Sequence, residues 1–401
     1  MVAEHSPEDE ARKQFATLVA KQLKELGETD IKYYPRTFSL KHGKDGMLNL
    51  HNFYREAEGL GEEELKAFAQ KIARQMTGKK EYPAEFEEAR SHLLPKVWPF
   101  VSLYETKLKT IIKGEEPFHL PTVPLGPHLR LGVVYDLPET MQSVNEDQLE
   151  KWGVTFDEAL EIAIANLEKV PPIVSKIGDG LCCWMVGDSY DSSRFVSEKL
   201  TKYTGLEGRT IAMVPSRGSC FLCDDDDELS QKIMVDLAEQ ELDGERPLFA
   251  IPLIKKGGEW IEWDCPAENE NLSDFYYLRV RSMITIYHQM HMVLQAYFKT
   301  NFENPVISPM EALSAERNLL CFCLWPDVDS DCVVLPICEK VMFNTPLGVV
   351  SADWNIVLEV MRDSIGGAGV YPPHVKVSRY PTQDEFAKIG NDGLLAKYVK
   401  F

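Results

Sequence analysis

Long apolar runs are missing from this chain. No window approaches the roughly 18 uninterrupted apolar residues that a membrane-spanning helix needs, so an ordinary membrane span is excluded. Positive charge is scarce as well: 43 Lys plus Arg stand against 63 Asp plus Glu, a formal net charge of −20, and no Lys/Arg run interrupts the deficit. Nucleic acids and anionic lipid surfaces are polyanions and are repelled by such a balance, so neither is an expected partner. Three common catalytic signatures are absent: a G-x-x-x-x-G-K-[ST] phosphate loop, a G-x-G-x-x-G dinucleotide turn and a G-x-S-x-G nucleophile elbow. There is no internal repeat and no low-complexity tract. The N-terminus, MVAEHSPEDEARK, carries neither an apolar signal core nor a basic leader, which points to a cytoplasmic protein.

What is present describes a globular chain. With 401 residues, 44% hydrophobic and 26% charged, it exceeds the size at which one core keeps growing, so more than one core is expected. Nine cysteines, an odd number, sit mostly in apolar runs such as LCCWMV and LLCFCLW. A disulfide-stapled domain would place them among turns; here they read as small buried side chains in a reducing compartment. Cys220 and Cys223 make a C-x-x-C, but on a strand their sulfurs alternate to opposite faces, so zinc is not expected. No metal and no cofactor is expected elsewhere.

Taken in order, Ser6-Pro7-Glu8 reads as a capped helix start, with Phe15, Leu18, Val19, Leu23 and Leu26 on its inner face and Gly27 as its stop. Short strands over 31–50 turn at His42-Gly43-Lys44-Asp45-Gly46, and an amphipathic helix follows up to Gly78. A further helix is predicted from Pro83 to Leu94, and the Pro/Gly-rich stretch 95–128 reads as a surface connection. Leu129 to Leu137 alternates like a strand, Asn145 caps a short helix, and Thr155 with Glu158 makes a capping box. Strand, tight polar turn, helix, strand, turn and strand follow over 178–227, then a helix over Glu228 to Leu242 and a strand pair over Pro247 to Trp263. Ser273 to Phe302 is apolar on most sides and is read as a domain junction or a dimer seam. Strands, a helix from Ser351 to Ser364 and a Gly366-Gly367 break complete the chain. The fold class is α/β to α+β, with mixed sheets and helices on their faces, in three segments: 1–128, 129–265 and 266–401.

The densest set of residues able to do chemistry is Gly187-Asp188-Ser189-Tyr190-Asp191-Ser192-Ser193-Arg194. Where a strand hands over to a helix, unpaired backbone N–H groups and a guanidinium attract an anion, and two carboxylates can hold a cation or move a proton. The same residues also explain themselves as a cap and an internal ion pair that lock the turn. Asp224 to Asp227 reads as capping and dipole compensation, and His288 with His291, one turn apart, as a packed pair.

VVYDLPETMQSVNEDQLEKWGVTFDEALEIAIANL, then GDSYDSSR, then MVPSR before an apolar strand, together resemble the YtpQ-like family of uncharacterised bacterial proteins. The resemblance covers about residues 30 to 265 and implies a bacterial cytoplasmic α/β protein. It places Asp188, Tyr190, Asp191, Ser193 and Arg194 on the family's characteristic turn, with no catalytic role attached. The leading expectation is a non-enzymatic protein-binding or scaffold module, with a protein partner or self-association through the 273–302 helix and a small anionic ligand at the 187–194 turn. The alternative is a hydrolase or lyase using Asp188 and Asp191 with Arg194 and Arg217.

Overall fold

The computed structural model describes residues 7–35, 38–43, 46–77, 82–137, 141–244, 247–315, 318–345 and 348–391. The Ser6 cap, the Lys44-Asp45 part of the first turn and the Gly78 stop lie outside the described residues. The fold is α+β, with mixed and antiparallel sheets and helices against them. Among the described residues no helix is long and apolar enough to cross a membrane. The chain forms two compact units. One is built from Met1–Pro95, Val133–Val170 and Asp243–Pro247, the other from Lys96–Gly132, Pro171–Leu242 and Leu248–Phe401.

In the first unit, helix Pro7–Glu25 packs with helix Glu62–Thr77 and a three-stranded antiparallel sheet of Lys32–Tyr34, Ser39–His42 and Gly46–Asn49. Phe15, Val19, Leu23, Leu40, Leu50 and Ile72 make the core between them. Gly27 ends the first helix as expected: at φ +94° it turns the chain so that its N–H donates to Lys24 O at 3.0 Å and that of Glu28 to Leu23 O at 3.0 Å. That is a Schellman closure, open to glycine because it lacks a Cβ. A second core in this unit gathers Leu93, Val133, Leu149, Trp152 and Ala163. Its helix Glu146–Trp152 is capped by Asn145, and Phe156–Leu167 by the Thr155–Glu158 capping box.

The second unit is organised on a six-stranded sheet in the order Glu259–Glu262, Pro247–Lys256, Thr210–Ser216, Ser219–Asp224, Leu181–Trp184, Val174–Ile177. On one face Leu181, Ile211, Met213, Phe221 and Cys223 meet helix Glu228–Leu242 and the start of helix Leu272–Phe298. The other face is buried too, since all four residues of Leu181–Trp184 are inaccessible. A two-turn 3-10 helix, Asp191–Val196, covers that face and therefore pulls the polar turn into the interior. Two four-stranded mixed sheets toward the C-terminus share a core of Trp325, Leu335, Phe343, Trp354 and Val357.

Several expectations need correction. The predicted helix from Pro83 to Leu94 is only Phe86–Ala89 plus a 3-10 turn, because Leu93–Pro99 is a strand. The 95–128 connection contains a 13-residue helix, Phe100–Ile112, which packs on Leu272–Phe298. Ser351 to Ser364 does not start as a helix: Gly348–Asp353 pairs with Lys340–Thr345, and the helix is Trp354–Val360. Gly366-Gly367 is no break but part of strand Ile365–Gly367.

Candidate functional site

Three features of the sequence shape the turn after strand Leu181–Trp184. Gly187 and Ser189 both take left-handed backbone, at φ 74° and 69°. For serine this is an uncommon region, and it is sustained by its neighbours. Asp188 Oδ1 accepts the Tyr190 N–H at 3.0 Å, and Lys96 Nζ donates to Ser189 O at 2.5 Å. Asp191 then reaches back over the turn, its Oδ2 accepting from Gly187 N at 2.8 Å and its Oδ1 from Val186 N at 3.3 Å.

Arg194 completes the arrangement. Its Nη1 donates to Asp188 Oδ1 at 2.8 Å and Asp191 Oδ1 at 2.9 Å, and its Nη2 to Asp188 Oδ2 at 2.6 Å. The guanidinium is wholly buried, Asp191 is 4% exposed and Asp188 30%. Burial by itself pushes the Asp188 carboxyl up, but the hydrogen bonds from Arg194 and Tyr190 and the guanidinium charge outweigh it, and the net shift is downward. Three further buried atoms on this face, Trp184 Nε1, Ser192 Oγ and Arg194 Nε, find no hydrogen-bond partner among the described residues.

Five of the six singled-out residues are therefore brought together. Asp188, Asp191 and Arg194 form the ion cluster; Tyr190 is buried with its ring under the Lys96 ammonium, 5.2 Å away. The hydroxyl of the buried Ser193 accepts the Val97 N–H at 3.2 Å, tying the turn to the neighbouring strand. Arg217 stands apart, exposed at the tip of the Thr210–Asp224 hairpin. The pairing of Phe221 with Cys183 places that tip at the same end of the sheet as the turn. No hydrogen bond or ion pair joins Arg217 to the cluster among the described residues. The cleft of about 630 Å³ beside helix Pro7–Glu25 and the cleft of about 280 Å³ beside Trp263 are lined by no residue of the turn.

The other candidates resolve into structure. Asp227 Oδ1 caps Ser230 N at 3.0 Å at the start of helix Glu228–Leu242, and Asp225 pairs with Arg209. Burial and then its three acidic neighbours push the Asp224 carboxyl up, against a hydrogen bond from the Gly208 backbone. Cys223 lies in the helix-covered core, while Cys220 lies on the other face within electrostatic reach of Asp191. All nine cysteines are free thiols. His288 bonds the Met310 carbonyl at 2.8 Å, and His291 is held below the usual imidazole range by burial and then by His288.

The residues alone give no hint of one constellation in the second unit. His128 Nδ1 meets the Tyr371 hydroxyl at 2.7 Å, its Nε2 lies 3.0 Å from Glu262 Oε1, and Glu262 Oε2 accepts from Arg279 Nη1 at 2.8 Å. With Nε2 protonated toward the carboxylate, Nδ1 accepts the phenol's proton. Phe100 and Tyr104 pack on Tyr371, its ring is 9% exposed, and burial pushes its phenol well above the usual range. The chain of four is a buried tie of two hydrogen bonds and one close His128–Glu262 contact, closed to a substrate at its phenol end.

An α+β protein with an internally paired polar turn is the class that these observations define. No family model, curated protein or solved structure matches the chain.

Proposed function

We propose that the chain is a non-enzymatic protein-binding or scaffold module of the bacterial cytoplasm, with the YtpQ-like resemblance as part of the same reading. One observation carries it: the densest group of chemistry-bearing residues is used up within the protein. Arg194 is fully buried and held by two carboxylates. Both oxygens of Asp191 are engaged by backbone N–H groups. A nucleophile, base or Lewis-acid ligand must present a free lone pair to a substrate, and of these groups Asp188 alone, 30% exposed, reaches solvent. A small anion at this turn would have to displace Asp188, its half-exposed member.

The covered stripe of the long helix favours a partner protein over a dimer seam along 273–302. Phe275, Leu278, Ile286, Met290, Leu294 and Phe298 are buried within the chain's own fold. The test is native mass spectrometry of the protein purified from its own cells. A stoichiometric partner protein is the expected result. A bare monomer, with nothing retained across repeated preparations, overturns the reading.

A further inference from the structure

We propose that the cleft of the first unit binds a basic amphipathic peptide segment, whose backbone is read by Gln22. The proposal rests on the reading of the chain as a binding module and names where and what it binds. The cleft, about 630 Å³, runs between helices Pro7–Glu25, His51–Glu56 and Glu62–Thr77. That volume is in the range of built ligand sites. Its walls are mixed, with Phe15, Leu18, Tyr54 and Leu65 set among charged and amide side chains.

Gln22 is the observation that points to a ligand. It is 3% exposed, lines the cleft, and its carboxamide makes no hydrogen bond among the described residues. In the helix it stands seven residues after Phe15 and three after Val19, in the stripe whose other members form the core. An apolar residue is what the helix period calls for there, and the amide that stands in its place has the cleft alone to face. A carboxamide offers one acceptor and two donors side by side, the complement of a peptide unit's N–H and C=O.

Charge selects the partner. Glu58, Glu62 and Glu63 line the same cleft, and none of them is in an ion pair among the described residues. Lys21 and Lys66 offset two of the three charges, and the whole chain carries −20, which steers cations inward at long range. An apolar side chain between Phe15, Leu18, Tyr54 and Leu65, a backbone amide on Gln22 and a Lys or Arg at the acidic lip satisfy every unpaired group in one ligand, in the helix-in-groove or extended mode.

The experiment is a peptide-display selection against the full chain, followed by affinity measurement of the enriched peptides on Gln22→Leu and on the triple variant Glu58→Gln, Glu62→Gln, Glu63→Gln. The expected winners combine apolar with Lys or Arg residues. They should lose about tenfold on Gln22→Leu. On the triple variant they should weaken with a shallower salt dependence. Enrichment of acidic sequences, no enrichment at all, or winners that bind both variants as well as the parent overturns the proposal. Should Gln22→Leu fail to fold, the surface triple variant decides alone. Winners indifferent to both variants would sink the cleft yet leave the binding-module reading standing, whereas a bare monomer from cells sinks that reading itself.

Discussion

Replacing Arg194 by Ala removes three hydrogen bonds at 2.6 to 2.9 Å and the guanidinium that bridges two carboxylates. Asp188, at 30% exposed, can turn to water. Asp191, at 4%, cannot, and it keeps only the Val186 and Gly187 N–H groups. Breaking a buried pair from one side costs about 3–5 kcal/mol, because the remaining charge stays desolvated. At about 2–4 °C per kcal/mol for a unit of this size, the melting temperature should fall by roughly 6–20 °C. Differential scanning calorimetry reads this directly, with urea unfolding as a second measure. Asp191→Ala should cost as much, since it also strands two backbone donors. Asp188→Ala should cost less, about 1–2 kcal/mol, because Arg194 keeps Asp191 and the lost carboxylate is partly solvated. The Asp188 carboxyl is held low in the folded state. Its contribution is therefore complete above the unfolded carboxyl value of about 3.9 and lost as pH falls through the folded one; Asp188→Asn should remove that acid limb. If Arg194→Ala melts within about 1 °C of the parent, the cluster does not hold the turn, and its residues are then available for another task.

Other expectations follow from packing and caps. A Cβ at Gly180 would come 2.0 Å from Asp227 Oδ2 and 2.7 Å from Ser230 Oγ, so Gly180→Ala should displace the cap of helix Glu228–Leu242 and cost about 1–2 kcal/mol by urea unfolding. Thr155→Ala opens the capping box of helix Phe156–Leu167 and should cost about 1 kcal/mol, with Thr155→Ser restoring most of it. His374 donates from Nδ1 to the Pro372 carbonyl at 2.6 Å, and burial holds its imidazole down at about 4. The unfolded chain takes up that proton first as pH drops below about 6.5, so stability should fall by about 3 kcal/mol between there and pH 4. A His374→Gln variant should show a flatter slope over that window, and an unchanged slope would exclude His374 as its source.

Local chemistry was legible in the sequence and long-range pairing was not. Gly27, Asn145 and the Thr155–Glu158 box declare themselves because a cap is decided by a few consecutive residues, and helix Glu228–Leu242 has the limits read from the residues. Helix Phe100–Ile112 was hidden by its flanks: Pro95 and Pro99 precede it and Pro117, Pro121 and Pro124 follow. Yet Pro99 sits at the cap, where a missing N–H costs nothing, and Val101 and Leu108 fill the inner face. Strand Gly348–Asp353 was taken into a helix because its apolar residues run straight into Trp354; only the partner strand Lys340–Thr345 decides the matter. The Tyr371–His128 bond joins residues 243 apart, so no spacing could announce it.

The polar turn shows the same division at the scale of a site. Its members could be named from sequence, but whether two acids and an arginine face a substrate or one another depends on the 3-10 helix lying on the sheet's second face. Accessibility then separates two kinds of unsatisfied polar group. Trp184 Nε1, Ser192 Oγ and Arg194 Nε are sealed beneath that helix, and nothing can reach them unless the turn leaves the sheet. Gln22 is equally buried as a residue, but it lines a cleft of about 630 Å³ open to a second molecule. The sealed atoms carry the energetic penalty of unmade hydrogen bonds, whereas the Gln22 amide opens on the cleft and can exchange water for a ligand's peptide unit. An amide in the register of Phe15 and Val19, where the helix period calls for an apolar side chain, was visible in the sequence all along, and it marks where this chain departs from the demands of its own core.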